Sequence, residues 1–292
     1  MAVVLGDNQY GKAEVRLVHV ARGADRHDVT DLTVSVALAG DFADVHLRGD
    51  NSGVVATDSQ KNIVYAFARE HGVGQIEEFG ELLARHFVES YPHIHRASVA
   101  IEQHSWQRIS VDGEPHPHSF AAAGGESRTT TVTAEGSAVW FVSGLTGLVL
   151  LKSTASEFAG FVRDRFTTLA ETDDRILASA VTARWRHGAA PADWEPSFAD
   201  VRRGLVETFA TQHSLSLQQT LYAMGAAVLE EQPGVAEIRL SMPNKHHILV
   251  DLAPFGLDNP DQVYVATDRP YGLIEGTVTR DDAPDAGPAW HE

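Results

Sequence analysis

The feature that most constrains the fold of this sequence is a pattern of hydrophobic residues that runs through the same order twice. Alternating apolar and polar residues are typical of strands, and apolar residues every three or four positions are typical of helices. The first half reads strand, strand, helix, helix, strand, strand at residues 14–20, 32–38, 63–68, 76–87, 97–101 and 128–134. The second half repeats this order at residues 139–151, 176–185, 198–209, 217–229, 236–242 and 262–267. A repeat of about 140 residues is too long for a solenoid unit and predicts a duplicated α+β domain instead.

This repeat predicts two halves, residues 1–136 and residues 137–280, each an antiparallel sheet with helices on one face. The outer strands of such a sheet are unpaired edges that another chain can cover. We therefore expect a homo-oligomer in which the sheets close into a barrel. Residues 281–292 are acidic and contain Pro and Gly, which predicts a mobile tail.

Composition excludes several classes of protein. The chain has 23 Lys and Arg against 40 Asp and Glu, a formal charge of −17, which argues against a binder of nucleic acid or of anionic membranes. It has no Cys, so disulfides, iron–sulfur clusters and Cys nucleophiles are excluded. The most apolar run, residues 138–151, is shorter than the about 20 residues of a membrane helix. The chain begins without the pattern of a secretory signal, so we expect a cytoplasmic protein.

The common motifs for phosphate loops, dinucleotide sites, zinc proteases and serine hydrolases are absent from the sequence. Two H-x-H pairs, His93 with His95 and His116 with His118, would present both rings on one face if they lay in strands, and could then share a metal. Ordinary loop and strand-end histidines explain the same pairs, and no carboxylate–histidine motif accompanies them. We therefore expect no metal site.

Three segments carry polar or aromatic residues that a strand or helix does not require. Lys12 lies at the start of the first strand, and a desolvated lysine can accept a proton as a neutral amine. Thr57 and Asp58 stand at a helix start, where they can cap the helix or lie beside an anion bound by free N–H groups. Phe158 is either a core residue or a stacking platform. Arg175 is either an ion-pair partner or a planar fork for the edge of a heterocycle.

A fourth segment joins a helix start to a strand end. Ser216 and Gln219 form an S-x-x-Q capping box, which by itself explains both residues. Gln218 lies in the same turn, where its amide can both donate and accept hydrogen bonds. Asn244 and His246 have the same parity at a strand end, so both side chains can face one site.

Together these segments resemble the urate oxidase (uricase) family. The matching motifs are YGKAEVR, VVATDSQKN, LKSTASEFAGFVRD, TTLAETDDRIL, SLQQTLY and MPNKHH, in the expected order from Tyr10 to Thr279. The resemblance implies the tunnelling fold, with two ββααββ-like halves per chain assembled as a homotetramer around a central tunnel. It also implies a reaction without metal or other cofactor, in which urate, dioxygen and water give 5-hydroxyisourate and hydrogen peroxide.

The resemblance also implies which residues carry the reaction. Lys12, Thr57 and His246 correspond to the family's proton relay. Asn244, together with Thr57, corresponds to the residues that hold dioxygen or a water above the ring. Lys12, Thr57 and His246 are thus the expected catalytic residues, and Asn244 belongs to the expected binding residues.

The substrate-binding part follows from the same resemblance. Phe158 is expected to stack on the purine, while Arg175 and the Gln218 side chain bind its edge. The backbone N–H of Leu217 adds a donor. Thr57 and Asp58 are expected to reach the same ligand from a neighbouring subunit, so the site would be complete only in the oligomer.

Three other functions also fit parts of the pattern. Another tunnelling-fold enzyme, acting on a pterin or on GTP, would need a metal-binding His/Cys set or a purine-anchoring Glu in the second half. A non-catalytic purine-binding protein would keep the pocket and lose the relay. An oligomeric barrel without chemistry would have to explain all four polar segments by capping and ion pairs.

Overall fold

A computed structural model describes residues 1–291 of the chain. Contacts divide the chain into two units. The first unit comprises Met1–Gly144, Ala189–Glu195 and the chain end from Pro284, and the second comprises Leu145–Gly188 and Pro196–Ala283. Both units combine strands and helices, which confirms the predicted α+β class. The predicted boundary between residues 136 and 137 separates the two copies of the sequence repeat, and it stays a prediction.

The elements follow one another as two similar series. The first unit contains β1 (Tyr10–Arg22), β2 (His27–Gly40), α1 (Ala43–Arg48), α2 (Thr57–His71), α3 (Ile76–Ser90), β3 (Ile94–His104), β4 (Trp106–Val111), β5 (Glu114–Ala122) and β6 (Ser127–Glu135). β7 (Ala138–Lys152) runs from the first unit into the second. The second series is β8 (Leu177–His187), α4 (Trp194–Thr211), α5 (Leu217–Glu231), β9 (Val235–Pro243), β10 (His246–Leu249), β11 (Tyr264–Thr267) and β12 (Leu273–Thr279). Two short 3-10 helices lie at Ala253–Phe255 and Gly287–Trp290.

The first unit is a sheet with two long helices packed on it. Its strands follow the order β1-β2-β3-β6-β7, and the pairs from β1 to β6 are antiparallel. α3 packs on β3 and β6, while α2 packs on β1. The alternating apolar side chains of β2 are buried in this core because a strand points every second side chain to the same face. These residues are Leu32, Val34, Val36 and Leu38, none more than 3% exposed.

The second unit has the same plan, with strand order β7-β8-β9-β12. β8 with β9 and β9 with β12 pair antiparallel, and α5 packs on β9 and β12. Its core contains Trp185 of β8, Leu205 of α4 and Met224 of α5, all fully buried. The helices predicted at residues 198–209 and 217–229 lie within α4 and α5.

The prediction that residues 262–267 form the last strand of this sheet is wrong. Its residues 264–267 form β11, which pairs with β10 in a separate two-stranded sheet. The place in the main sheet is taken by β12, whose side chains Ile274 and Val278 pack in the core. Between them, a Cβ on Gly276 would lie 2.8 Å from the Leu221 Cδ2 atom of α5. The glycine makes room for the helix, and its missing side chain removes the hydrophobic alternation from this strand.

The barrel expected from the sequence is not closed within one chain. In the part of the chain that is described, the strand orders end at β1 and at β12, each with a single strand neighbour. Closure by an oligomer stays a prediction. The mobility predicted for residues 281–292 also stays a prediction, and within that range Pro288 and Ala289 are buried.

None of the helices within residues 1–291 is long and apolar enough to cross a membrane. The cytoplasmic location expected from the sequence stays a prediction.

Candidate active site

A pocket in the second unit brings together four of the predicted site residues. Its volume is about 280 Å³, and its walls include Phe158, Arg175, Asn244 and His246. This volume is near the lower end of the about 300–1,000 Å³ range of small-molecule sites. The pocket therefore has a size suited to a small, compact ligand.

The Phe158 ring is held by its backbone and by two neighbouring side chains. The Phe158 N–H donates to the Thr172 carbonyl at 2.9 Å, and the Thr172 N–H donates back at 3.1 Å. The ring stacks on Phe161, with centroids 5.0 Å apart and an angle of 15° between the planes. The guanidinium carbon of Arg175 lies 5.1 Å from the Phe158 centroid, within the range of a cation–π contact. Phe158 is half-buried and lines the pocket, as a stacking platform requires.

Arg175 faces the pocket as a partly buried cation. The ion pairs recorded for residues 1–291 do not include it, although the sequence left pairing with Glu171, Asp173 or Asp174 open. Asp174 instead accepts a hydrogen bond from the Thr154 hydroxyl at 2.8 Å, which lowers the pKa of its carboxyl group. Burial alone lowers the pKa of the Arg175 guanidinium, and its Nε atom is buried without a hydrogen-bond acceptor. The pocket thus offers a donor fork that an acceptor can satisfy.

The segment before Phe158 is tied to the start of α5. The Glu157 N–H donates to the Ser214 carbonyl at 2.8 Å, and the Ser214 N–H donates to the Ala155 carbonyl at 3.0 Å. The Glu157 carboxylate also lies 2.7 Å from the His213 Nε2 atom. These contacts place the first turn of α5 beside the segment that carries Phe158.

The predicted capping box at the start of α5 forms, with one difference. The Ser216 hydroxyl accepts a hydrogen bond from the Gln219 N–H at 3.1 Å. The Gln219 side chain accepts from the Leu215 N–H at 2.8 Å, whereas a standard box closes on the capping residue itself. Leu217 is buried and Gln218 is exposed at this turn, and neither lines the pocket.

The backbone around Asn244 is fixed by the strands on either side. The Asn244 N–H donates to the Gly272 carbonyl at 2.8 Å, and the Lys245 N–H donates to the Ala178 carbonyl at 2.8 Å. His246 begins β10, where it pairs with Thr267 of β11. Asn244 and His246 line the same pocket, but Lys245 and His247 line it too, so the parity prediction is not tested by this lining.

Thr57 and Asp58 lie in the first unit and do not line this pocket. The capping position of α2 is occupied by Ala56, and no side chain caps this helix end. The alternative that Thr57 or Asp58 caps α2 is therefore wrong. Asp58 instead binds Lys61 at 2.5 Å, and this contact is the main reason that the pKa of Asp58 is lowered. Thr57 is exposed, and its hydroxyl does not cap the helix.

Lys12 lies between two irregular features of β1. Before it, a Cβ on Gly11 would lie 1.8 Å from the Val36 carbonyl oxygen, so only glycine permits this close approach of β1 to β2. After it, β1 contains one extra residue relative to β2, a β-bulge in which Glu14 adopts a φ of 57°. The Glu14 N–H donates to the Ser35 hydroxyl at 3.0 Å. Bulges of this kind redirect side chains and recur beside active sites.

Some residues at the pocket were not singled out from the sequence. Phe161 stacks on the platform ring, and the F-x-x-F spacing was the signal for it. Lys245 and His247 line the pocket with His246, and their position in the polar run NKHH was the signal for them. Each of these residues lies within three positions in the sequence of a residue that was already selected.

The two H-x-H pairs have other contacts. His95 lies 3.1 Å from the Asp41 carboxylate, and the rings of His116 and His118 meet edge-on with centroids 4.6 Å apart. Over residues 1–291, no group of three or more His, Asp or Glu side chains is arranged to hold a metal ion.

Comparison with known proteins gives matches that extend over both units. The family model for uricase matches residues 8–133 and 141–275. A uricase of Arthrobacter globiformis is 51% identical over 288 residues, covering 99% of this chain and 94% of that protein. A uricase of Arabidopsis thaliana is 40% identical over 295 residues, covering 94% of this chain and 95% of that protein.

Solved structures give the same result. The crystal structure of uricase from Arthrobacter globiformis has a TM-score of 0.95 with this chain at 51% identity, and the match covers all of both chains. A urate oxidase structure from Bacillus sp. TB-90 has a TM-score of 0.79 at 25% identity, covering 94% of this chain and all of that one.

Proposed function

This chain belongs to the uricase family and oxidises urate, and we propose that urate binds in the second-unit pocket lined by Phe158 and Arg175. The observation that carries this assignment is the partly buried Arg175 guanidinium, whose Nε donor has no acceptor and which faces the pocket beside an aromatic platform. Urate is a planar purine that binds as an anion. Its ring can stack on Phe158 while its edge accepts two parallel N–H bonds from the guanidinium fork.

The start of α5 supplies further donors to the same ligand. N–H groups in the first turn of a helix have no partner within the helix and favour negative charge. In this proposal the Leu217 N–H and the Gln218 amide bind the purine edge next to Arg175. The pairing of Ser214 with Ala155 and Glu157 supports this role because it ties this turn to the platform segment.

The reaction proposed for the bound anion is a two-electron oxidation. Urate, dioxygen and water give 5-hydroxyisourate and hydrogen peroxide, so that urate loses two electrons and dioxygen gains them with two protons. Removal of a second proton makes urate a better one-electron donor to dioxygen. Recombination at C5 gives a peroxide, which water then replaces. The purine itself supplies the electrons, so the proposed reaction uses neither a metal nor a flavin.

The proton transfers are assigned to Lys12, Thr57 and His246. A lysine amine can accept the proton through the threonine hydroxyl, because a hydroxyl donates and accepts in the same relay. His246 serves as the third member of the relay on the pocket side, where it lies next to Asn244. Asn244 and Thr57 are assigned to hold dioxygen or a water above the ring.

The site is proposed to be shared between subunits of a homotetramer. Thr57 and Asp58 are exposed at the start of α2, where a neighbouring chain can reach them. β1 and β12 are end strands whose free edges favour pairing with another copy of the chain. In this arrangement, Thr57 and Asp58 of one subunit contact the urate bound in the pocket of the next.

The activity and the shared site can be tested with two assays. The first follows the loss of urate absorbance and the appearance of peroxide in air-saturated buffer with a strong chelator, and we expect one peroxide per urate. The second co-expresses Thr57→Ala chains, which should lose most turnover, with Arg175→Met chains, which should bind urate weakly, and measures activity at a urate concentration below the KM of the Arg175→Met enzyme. Random pairing restores about a quarter of the sites if each site takes residues from two chains. No recovery in mixed oligomers would place all residues of a site in one chain.

A further inference from the structure

We propose that Tyr10 and Gln60 are positioning residues that bind the backbone N–H and the backbone carbonyl of Val55, and so fix Thr57 relative to Lys12. This inference rests on the proton relay proposed above. It concerns residues of the first unit alone. Neither residue is assigned to contact urate.

Tyr10 binds the backbone N–H of Val55. Its hydroxyl accepts a hydrogen bond from the Val55 N–H at 2.8 Å. The ring meets Phe42 edge-on, with centroids 4.8 Å apart, so the hydroxyl is held in a fixed direction. Burial raises the pKa of the Tyr10 phenol above its ordinary value.

Gln60 holds the opposite side of the same residue. Its Nε2 atom donates to the Val55 carbonyl at 3.0 Å, from a side chain that is fully buried in α2. The Oε1 atom of the same amide is buried without a hydrogen-bond donor. An unpaired buried acceptor costs free energy, and a leucine or methionine would fill this space without it, but only the glutamine can donate to the Val55 carbonyl. A core role alone therefore does not explain a glutamine at this position.

The two contacts link Lys12 to the start of α2. Tyr10 precedes Lys12 by two residues on β1, and Val55 precedes Thr57 by two residues. The α2 end has no side-chain cap, so these contacts take over the task of fixing it. The charge of Lys12 contributes to the lowered pKa of Asp58, which agrees with a short separation between β1 and this helix end. β1 thus carries Lys12, the proposed proton acceptor, and through Tyr10 it also holds the loop that precedes Thr57.

The test is a double-mutant cycle on the full-length assembled enzyme. Tyr10→Phe removes the acceptor and keeps the ring against Phe42, while Gln60→Met removes the donor and keeps the volume. Each is expected to lower kcat about tenfold or more, because a misplaced catalytic group loses rate steeply with distance. KM for urate and the binding of xanthine, used as a non-reacting purine, should change much less than kcat, because Phe158 and Arg175 supply the main contacts proposed for the ring.

The cycle is completed by making both changes in the Thr57→Ala background. If Tyr10 and Gln60 act through Thr57, they should then lower kcat by less than about twofold. A merely structural role would lower kcat by the same factor in both backgrounds. Tyr65→Phe is the matched control, since that exposed tyrosine of α2 also joins α2 to β1 through its hydroxyl, at 3.3 Å from the Arg16 carbonyl. We expect its kcat to be unchanged.

The outcomes separate the two proposals. Wild-type turnover in Thr57→Ala would overturn the relay itself. Loss of turnover in Thr57→Ala, with wild-type turnover in both Tyr10→Phe and Gln60→Met, would overturn only the positioning role. Equal losses in the two backgrounds would also overturn it. If Tyr10→Phe fails to assemble, Gln60→Met gives the same decision through the Val55 carbonyl.

Discussion

Replacing Arg175 by methionine should weaken urate binding and stabilise the empty enzyme at the same time. In the free chain the guanidinium is partly buried, it faces the pocket, and its Nε donor is unsatisfied. Apart from its contact with the Phe158 ring, its charge therefore serves the ligand and not the fold. Methionine has a similar length and removes the charge and all the N–H donors.

The size of both effects follows from these contacts. A hydrogen bond to a charged group contributes about 1.5–3 kcal/mol, so loss of even one bond of the fork raises KM about 10- to 150-fold. Removing a buried charge that lacks a partner is often stabilising by 1 kcal/mol or more, and we expect a gain on the order of 1 kcal/mol because Arg175 is only partly buried. Arg175→Lys keeps the charge and loses the fork, so it should raise KM without the gain in stability.

The measurements are KM for urate from peroxide release, and the thermal midpoint with and without xanthine. Without ligand, Arg175→Met should melt above the wild type. With xanthine, the wild type should gain more than the variant, because a ligand stabilises only in proportion to its binding. A lower midpoint for the empty variant would show that Arg175 has a structural partner, and the reasoning would then be refuted.

Three further predictions concern packing, pH and the position of the relay lysine. Gly225→Ala should lower the thermal midpoint, because its Cβ would lie 2.6 Å from a β12 valine in the core. The matched change Gly204→Ala in α4, where the nearest atom is 3.7 Å away, should raise the midpoint, because alanine adds up to about 1 kcal/mol of helix stability. Burial lowers the pKa of His187 to about 4, so the unfolded chain takes up this proton at a higher pH than the folded chain does. The contribution of His187 to the free energy of unfolding is therefore complete above about pH 6.5 and falls by about 3 kcal/mol toward pH 4. His187→Gln should flatten the pH dependence of the thermal midpoint between pH 7.5 and 4.5. Gly11→Ala should displace Lys12 and lower kcat about 100-fold, and wild-type turnover would contradict the placement of that lysine.

The sequence predicted the long elements because burial on one face repeats along them. β2 and α3 match their predicted segments since their apolar side chains fill one core. β12 was missed because Gly276 makes room for Leu221 of α5, and that contact is between residues far apart in the chain. The hairpin of β4 and β5 was missed because most of its residues are exposed, although Asp112 and Gly113 carry a turn signal, with φ of 53° and 86°.

The site was predictable as a set of residues and less so in its geometry. Asn244 and His246 line one pocket, but shared parity does not account for this because Lys245 and His247, of the opposite parity, line it as well. Parity and spacing could not show whether Arg175 pairs with its acidic neighbours, because that depends on where Thr154 directs Asp174. Parity and spacing also could not show that Ala56, and not Thr57, occupies the capping position of α2. That position depends on the course of the loop that Tyr10 holds at Val55.

His246 is carried by an unusual support, since β10 and β11 form a two-stranded sheet of four residue pairs outside the main sheet. Isolated two-stranded hairpins are only marginally stable in water, and Ile248 and Leu249 of β10 are exposed. Local opening of such a segment requires much less free energy than unfolding of the core. Amide hydrogens of this hairpin should therefore exchange with deuterium before those of β8 and β9. Activity should also be lost during storage or mild heating while the two cores remain folded.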